Sequence, residues 1–299
     1  MKLNIAGAGA VGLLLASGFA RAGFSVRLLV RSSRQAALLR SEGVCLEEED
    51  GRHTFRVDAS ADPAEWEDGV LTILAMKSYD LEGFLDSALR FIPDSPLLFV
   101  QNGVAHLGLA DSLRNPAIAF ATVEHGALKR DGRTVRHTGT GPLSLAPAKG
   151  NAGLFTPLLS ADSPDFPVRL SEDLAELLYR KALKNAVINP VTAVTGARNG
   201  ELASDPALRR LAGMIHGELA AAFPDTAREV PLEAVLELCR KTADNESSML
   251  ADLNAGRKTE ADAILGGLIR EADRRGSRLP LLSGLSEMIA FLERRGTDG

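Results

Sequence analysis

The pattern of hydrophobic positions changes character between the first and second halves of the chain. In the first half, short apolar runs alternate with stretches of helical periodicity, which is typical of strands and helices in a parallel sheet. The predicted strands are 2–6, 25–30, 44–48, 53–57, 70–75, 97–100 and 117–123, and the predicted helices are 11–22 and 81–91. Asp50-Gly51 predicts a hairpin turn, and 129–132 predicts a turn between two antiparallel edge strands.

The second half of the chain is predicted to be almost entirely helical. Residues 160–167 have the composition of a linker, and five helical patterns follow it, at 172–188, 206–223, 232–243, 261–275 and 282–294. Pro190 is expected to kink or end the first of them. The predicted fold is therefore α/β, with a doubly wound sheet in domain 1–167 and an all-α domain in 168–299. The cleft between two such domains is the default ligand site.

Composition narrows the classes of function. Only 5% of the 299 residues are aromatic and the net charge is −5, which argues against a nucleic-acid partner. Cys45 and Cys239 show no metal-ligand spacing and are typical of free thiols in an intracellular protein, so no metal is expected. The chain start has no signal-peptide pattern, and the apolar run near 11–22 is too broken to span a bilayer. We expect a cytoplasmic protein without a membrane partner.

A glycine-rich loop predicts a dinucleotide site. Residues 7–12, Gly7-Ala8-Gly9-Ala10-Val11-Gly12, match G-x-G-x-x-G between a strand and a helix, the context that makes this motif specific. The first glycine permits the tight turn, the second lets a pyrophosphate approach, and the third lets helix and strand pack closely. The amides at the helix N-terminus then favour an anion.

The end of the second strand favours NADP(H) over NAD(H). An NAD enzyme would place an acid there to bind the ribose hydroxyls. This chain has Arg31 instead, and a guanidinium binds a 2′-phosphate through charge-assisted hydrogen bonds. Arg34 is as readily a solvated surface charge.

Polar residues follow two further strands. Lys77 comes after 70–75, and Asn102 comes after 97–100, where ligands of open α/β sheets bind. On local grounds the less favoured alternatives are that Lys77 is an exposed lysine and that Asn102-Gly103 is a simple turn.

A polar stripe lies on the first predicted helix of the second half. Lys181, Asn185 and Asn189 are four residues apart and so drift by only about 40° per step around a helix. Asparagine is disfavoured inside helices, so the stripe predicts a functional groove. Lys184 lies on a different face. Farther along, Glu260 follows Thr259, and these two could equally be a helix cap and a first-turn acid.

Taken together, these motifs resemble the ketopantoate reductase family. They occur in the family's order and cover nearly the whole chain: GAGAVG at 7–12, Arg31, Lys77, QNG at 101–103, K-x₃-N-x₃-N-P at 181–190, Asn199-Gly200, N-x-S-S-M at 245–249 and T-E-x-D-x-I at 259–264. The resemblance implies a Rossmann domain that binds NADP(H) and a helical substrate and catalytic domain similar to that of 6-phosphogluconate dehydrogenase. It also implies NADPH-dependent reduction of 2-dehydropantoate to pantoate.

The resemblance assigns roles to individual residues. Lys181 matches the catalytic lysine and Glu260 the acid at the junction of cofactor and substrate. The positions that match cofactor contacts are Gly7, Ala8, Gly9, Ala10, Val11, Gly12, Arg31, Lys77, Asn102 and Ala127. Those that match substrate contacts are Asn102, Lys181, Asn185, Asn189, Asn199, Asn245 and Ser248. Tyr179, Lys184 and the run 122–125 depart from the family pattern, which affects fine substrate specificity.

The implied chemistry leaves two alternatives. A lysine ammonium would stabilise the alkoxide that grows on a reduced keto group and donate a proton to it. The same residues could serve a related reductase of another small 2-oxo acid or imine. A non-catalytic NADP(H) sensor is a more distant alternative, since sensing needs no proton donor such as Lys181. The sequence leaves the oligomeric state open, with a preference for a homodimer through the helical domain.

Overall fold

The computed structural model describes residues 1–297, and its strands lie within the first 170 residues, together with four α-helices. The strands are β1 Lys2–Ala6, β2 Ser25–Leu29, β3 Val44–Glu48, β4 Gly51–Phe55, β5 Asp58–Ser60, β6 Thr72–Leu74, β7 Leu97–Phe99, β8 Ala117–Val123, β9 Gly126–Lys129, β10 Thr134–Gly139, β11 Leu143–Gly150 and β12 Val168–Leu170. The helices are α1 Ala10–Arg21, α2 Ser33–Glu42, α3 Leu81–Ala88 and α4 Leu109–Ser112.

The main sheet has eight strands in the order β12-β11-β8-β7-β6-β1-β2-β5. All its neighbouring strands are parallel except β8 and β11, as the alternation of strands and helices predicts. From β1 the chain first builds outward to β2 and later returns to β6 on the other side. The crevice outside the carboxyl ends of β1 and β6 is therefore the topological switch point, where ligands of such sheets bind.

A second sheet of four strands, in the order β4-β3-β10-β9, covers α1. The predicted hairpin is confirmed as β3 and β4, and the predicted turn at 129–132 does connect the antiparallel pair β9 and β10. The expectation that both of these strands are edge strands is wrong for β10. It pairs in parallel with β3 and so joins the two hairpins. Helix α1 is buried on nearly every side because sheets flank it.

The segment 160–167 is not the linker that its composition predicts. Phe166 is only 4% exposed, and its ring meets the ring of Phe19 edge-on with 5.4 Å between centroids. The chain then returns to the main sheet as β12, which pairs with β11. One buried aromatic side chain thus anchors a polar, proline-containing stretch.

The remainder of the chain is helical. Its helices are α5 Leu174–Thr195, α6 Asn199–Ser204, α7 Pro206–Ala222, α8 Pro224–Glu229, α9 Leu232–Lys241, α10 Ser248–Asn254, a π-helical turn Asp262–Gly266, α11 Gly267–Arg274 and α12 Pro280–Thr297. Of the two outcomes expected for Pro190, a kink or an end of the helix, the second does not occur, because α5 continues to Thr195 beyond this proline. It is buried among buried neighbours, and their packing outweighs the one backbone hydrogen bond that a proline removes. None of the helices within 1–297 has the length and apolar character needed to cross a lipid bilayer.

The chain forms two compact units. The first comprises Met1–Gln101 and Gly108–Leu177, and the second comprises Asn102–Leu107 together with the chain from Leu178 onward. The first unit thus extends beyond the boundary expected at 167/168, because β12 belongs to its sheet. The short segment 102–107 leaves the main sheet after β7 and packs with the helical unit.

Two histidines, His106 and His125, are buried. His106 is 4% exposed and His125 is 8% exposed, and burial lowers the pKa of each from 6.5 to about 4. His125 Nδ1 lies 3.0 Å from Nε2 of His137, and its ring stacks on that of Phe166. A positive charge on His137 lowers the pKa of His125 further.

We predict that Gly12→Ala destabilises the fold by roughly 1–3 kcal/mol, because a side chain there overpacks a tight contact. Its Cβ would lie 1.8 Å from the carbonyl oxygen of Gly7. Gly9→Ala is the matched control. A Cβ at Gly9 meets no atom within 4 Å, so the loss there should stay below about 1 kcal/mol. Urea denaturation of both variants is the measurement, and equal midpoints would contradict the packing argument.

We also predict that the free energy of unfolding decreases as the pH is lowered below 6.5, the ordinary pKa of histidine. Both buried imidazoles stay neutral in the folded protein, so the unfolded chain binds more protons between pH 6.5 and about 4. The contribution of these two histidines to the free energy of unfolding is complete above pH 6.5. It decreases progressively toward pH 4, by up to about 3 kcal/mol per histidine. NMR titration of the five histidines checks the cause directly. Titration of His106 and His125 near pH 6.5 would contradict it.

Candidate active site

The glycine loop has the geometry that its sequence predicts. Gly7 ends β1 with a φ of 103°, and a Cβ on it would lie 2.9 Å from the backbone nitrogen of Met76. Gly12 lies against the Gly7 carbonyl, which brings α1 close to the strand end. Gly9, by contrast, faces open space and is the N-cap of α1 without a side-chain cap. The first amides of α1 thus follow an open, uncapped glycine at the switch point, and amides at a helix N-terminus favour an anion.

Arg31 follows β2 at the expected place, but its guanidinium forms an ion pair with Asp80. The Arg31 side chain is 80% exposed. Asp80, in the 3-10 turn Ser78–Asp80 after Lys77, is an acid whose position next to Arg31 the sequence analysis missed. Arg31 therefore does not provide an unopposed positive charge at this strand end.

Lys77 and Ala127 both lie in the first unit, in different parts of its two sheets. Lys77 follows β6 as the N-cap of the 3-10 turn, and it is half-buried. Ala127 lies on β9, and its side chain packs against the main hydrophobic core.

Lys129, two residues beyond Ala127, was treated in the sequence analysis only as part of a turn. Its Nζ donates a hydrogen bond to the carbonyl oxygen of Ala8 at 2.7 Å, so it contacts the glycine loop itself. Burial lowers the pKa of this ammonium, as does the nearby charge of Arg31, and Asp131 opposes the shift. Alternation along β9 could have indicated it, because Lys129 must point to the same side as Ala127.

The polar stripe of α5 runs from the half-buried into the buried part of the helix. Lys181 and Asn185 are half-buried, whereas Asn189 is only 5% exposed. The Nδ2 of Asn189 is buried and has no hydrogen-bond partner among the described residues. A buried amide donor without a partner is costly, so this atom indicates where a polar ligand could bind.

Asn199 and Asn245 are held next to each other. Asn199 begins α6, and its backbone nitrogen donates to the Asn245 carbonyl oxygen at 3.1 Å. The Asn199 side chain donates from Nδ2 to Thr242 Oγ1 at 2.9 Å, while its buried Oδ1 accepts no hydrogen bond within residues 1–297. Asn245 itself is exposed. The structure thus brings together two of the predicted substrate contacts.

The two serines before α10 have different environments. Ser248, the predicted substrate contact, is exposed at the first position of the helix. Ser247 is buried, caps α10 by accepting from Leu250 N, and accepts a 2.7 Å hydrogen bond from Thr192 Oγ1 on α5. The sequence analysis missed Ser247 and Thr192 as the pair that fixes Ser248 relative to α5.

Glu260 is bound to Asn102 across 158 residues of sequence. Nδ2 of Asn102 donates to Oε2 of Glu260 at 3.1 Å, and Glu260 is only 7% exposed. Gly103, with a φ of 85°, lets this segment approach the carbonyl of Ala263, where a Cβ would clash at 2.0 Å. Thr259 does act as a local cap, since its Oγ1 accepts from Ala261 N. Glu260, however, is more than a first-turn acid.

One group of potential metal ligands occurs among the described residues. It consists of Glu48, Asp50 and His53 at the hairpin of β3 and β4. Arg21 forms an ion pair with Glu48 and hydrogen-bonds both of its carboxylate oxygens. The carboxylate charge is therefore already balanced within the protein.

Two family models match the chain. The model described as ketopantoate reductase PanE/ApbA matches residues 3–150, and the model of the ketopantoate reductase PanE/ApbA C terminal matches residues 173–293. Together they cover both structural units.

Relatives match over nearly the full chain. A 2-dehydropantoate 2-reductase from Bacillus subtilis is 35% identical over 296 residues, covering 98% of both proteins. The 2-dehydropantoate 2-reductase of Listeria monocytogenes is 34% identical and covers 98% of this chain and 97% of its own. The crystal structure of a probable 2-dehydropantoate 2-reductase from Bacillus subtilis has a TM-score of 0.86 at 32% identity, covering 98% of this chain and 100% of that one. The chain therefore belongs to the ketopantoate reductase PanE/ApbA family.

Proposed function

We propose that this protein reduces 2-dehydropantoate to pantoate with NADPH. The observation that carries the proposal is the hydrogen bond between Asn102 and Glu260. Both residues belong to the helical unit, and the bond fixes Asn102, which begins the segment after β7, to a buried acid. Relatives with 34–35% identity are named for this reaction. The substrate is a small 2-oxo acid that also carries a hydroxyl group, and it needs amide, acid and ammonium partners.

The glycine loop fits a nicotinamide dinucleotide. Gly9 leaves open space in front of the first amides of α1, whereas Gly7 and Gly12 are tightly packed, as a pyrophosphate site requires. When bound, this cofactor supplies the hydride. The chain has no acid directly at the end of β2, and Arg31 there would bind a 2′-phosphate in exchange for its ion pair with Asp80. Lys77, Asn102 and Ala127 are the other proposed cofactor contacts.

The helical unit supplies the groups for substrate and proton. We assign proton donation to Lys181, whose ammonium would stabilise the oxygen that becomes an alkoxide. Glu260, held by Asn102, would bind Lys181 and a substrate hydroxyl. Neutral asparagines would orient the substrate without adding charge. The proposed set is Asn185, Asn189, Asn199 and Asn245, with Ser248 at the carboxylate.

The setting of this reaction follows from its product. Pantoate is a precursor of pantothenate and coenzyme A, so we place the protein in that biosynthesis. We also propose a cytoplasmic location, where free thiols such as the buried Cys45 and Cys239 stay reduced. A homodimer through the helical domain, and the expectation of no nucleic-acid or membrane partner, remain predictions.

The direct test is steady-state oxidation of NADPH with 2-dehydropantoate and a panel of other 2-oxo acids. We expect the highest kcat/KM with 2-dehydropantoate. A higher value with another 2-oxo acid would make the protein a related reductase of that compound. Binding of NADPH without turnover of any of them would indicate a sensor.

We predict that Lys181→Ala lowers kcat by about 10²–10⁴-fold, the usual contribution of general acid catalysis. The dissociation constant of NADPH should change little, because the glycine loop lies in the other unit. Lys184→Ala is the matched control, since Lys184 lies on the same helix and is also half-buried. A well-folded Lys181→Ala protein with kcat near wild type would remove Lys181 from the chemistry.

We predict that Asn102→Leu destabilises the protein by about 1–3 kcal/mol, because it removes a hydrogen bond that is donated to the carboxylate of a buried acid. Asn254→Leu is the control. Asn254 Nδ2 also donates to a carboxylate, that of Glu246 at 3.4 Å, but both residues are exposed. Its loss should stay within about 0.5 kcal/mol. Equal unfolding free energies of the two variants in urea would show that Glu260 does not depend on Asn102.

A further inference from the structure

Three elements of the first unit meet at the carbonyl oxygen of Ala8, in the middle of the glycine loop. Lys129 Nζ, from β9, lies 2.7 Å from this oxygen. Gln35 Nε2, from the first turn of α2, lies 3.5 Å from it and also donates to the Gly132 carbonyl at 2.7 Å. The turn between β9 and β10 is thereby tied both to the glycine loop and to the start of α2. This is the corner where β2 ends.

In dinucleotide-binding Rossmann folds, the adenosine ribose binds at this same position, after the second strand. The residues that follow the second strand bind the ribose 2′-hydroxyl or accommodate a 2′-phosphate. In this chain they are Arg31 and Ser32, and Ser32 is already used to cap α2 by accepting from Gln35 N. A 2′-phosphate here needs cations, which must come from Arg31 or from a neighbouring element.

The charge of Arg31 is already balanced by the carboxylate of Asp80. A phosphate bound by Arg31 alone would compete with that carboxylate. Lys129 differs, because its nearby acid is Asp131, whose Oδ1 accepts from the backbone nitrogens of Arg133 and Thr134 at 2.9 and 2.7 Å. The acid near Lys129 thus hydrogen-bonds the backbone of its own turn, whereas the acid near Arg31 pairs with the Arg31 guanidinium.

The hydrogen bond to Ala8 fixes the Lys129 ammonium but uses only one of its N–H donors. An ammonium has three donors, and within residues 1–297 Lys129 makes this one hydrogen bond. We propose that Lys129 contacts the 2′-phosphate of the cofactor and, together with Arg31, determines the preference for NADPH over NADH. This inference rests on the proposed use of a nicotinamide dinucleotide. Burial disfavours the ammonium ion, and an adjacent phosphate would recover that cost.

A purely structural role makes a different prediction. If Lys129 only holds the glycine loop through Ala8, its loss should weaken every dinucleotide and mononucleotide to the same extent. If it contacts the 2′-phosphate, the loss should be confined to ligands that carry that group. Lys129→Gln retains a donor for the Ala8 carbonyl without the charge, whereas Lys129→Arg retains both.

The experiment is calorimetric titration with adenosine 2′,5′-bisphosphate and with 5′-AMP, followed by NADPH and NADH. For Lys129→Gln we expect roughly 10- to 100-fold weaker binding of the two ligands with a 2′-phosphate, the effect of one lost charged hydrogen bond. Binding of 5′-AMP and NADH should change less than about threefold, and Lys129→Arg should restore the preference. Lys149→Gln is the control, because the Lys149 ammonium also donates to a backbone carbonyl, that of Leu113 at 2.5 Å.

The remaining outcomes overturn the proposal. An equal loss for all four ligands would make Lys129 a loop-holding residue, and unchanged binding would remove it from the site. If wild-type protein binds the bisphosphate no better than 5′-AMP, the NADPH assignment itself fails together with this inference. If wild type prefers the bisphosphate and Lys129→Gln retains that preference, only the inference about Lys129 fails.

Discussion

The close approach of α1 to the end of β1 is the contact on which the dinucleotide site depends. Because residue 12 has no side chain, the helix begins directly behind the Gly7 carbonyl, and its first amides face the crevice beside β6. Two sheets enclose α1 and fix its direction. Charge at this site comes from side chains that reach the loop from elsewhere, Lys129 among them. In the proposed site the backbone would therefore provide the anion-binding amides, and the side chains would determine which anion is preferred.

The helical unit buries several polar side chains in a mostly apolar interior. Glu260 is satisfied by Asn102, and Ser247 by Thr192. Asn189 has a buried amide donor that the described residues leave without a partner. Such a donor fits the proposed role of Asn189, because a bound polar ligand would satisfy it and an apolar analogue would not.

Features encoded by neighbouring residues could be predicted from the sequence, whereas features that depend on distant contacts could not. The glycine loop, the main strands and the polar face of α5 follow from local spacing. The pairing of β3 with β10 joins segments far apart in the chain, and no local pattern indicates it. Pro190 does not end α5, because the packing of its buried neighbours outweighs the local effect of a proline. The ion pair of Arg31 with Asp80 likewise forms only in the folded chain. It reduces the positive charge that Arg31 offers to a ligand at the end of β2.

A crystal structure with NADP⁺ and pantoate bound would test the central claim most directly. The account predicts the pyrophosphate at the first amides of α1 beside Gly9. It also predicts the pantoate 2-hydroxyl oxygen within about 3.2 Å of Lys181 Nζ, the reach of a general acid. The amide of Asn189 should then have a ligand partner, directly or through water. Pantoate bound away from the α5 face, or Lys181 turned away from the 2-hydroxyl, would contradict the assignment of this reaction to these residues.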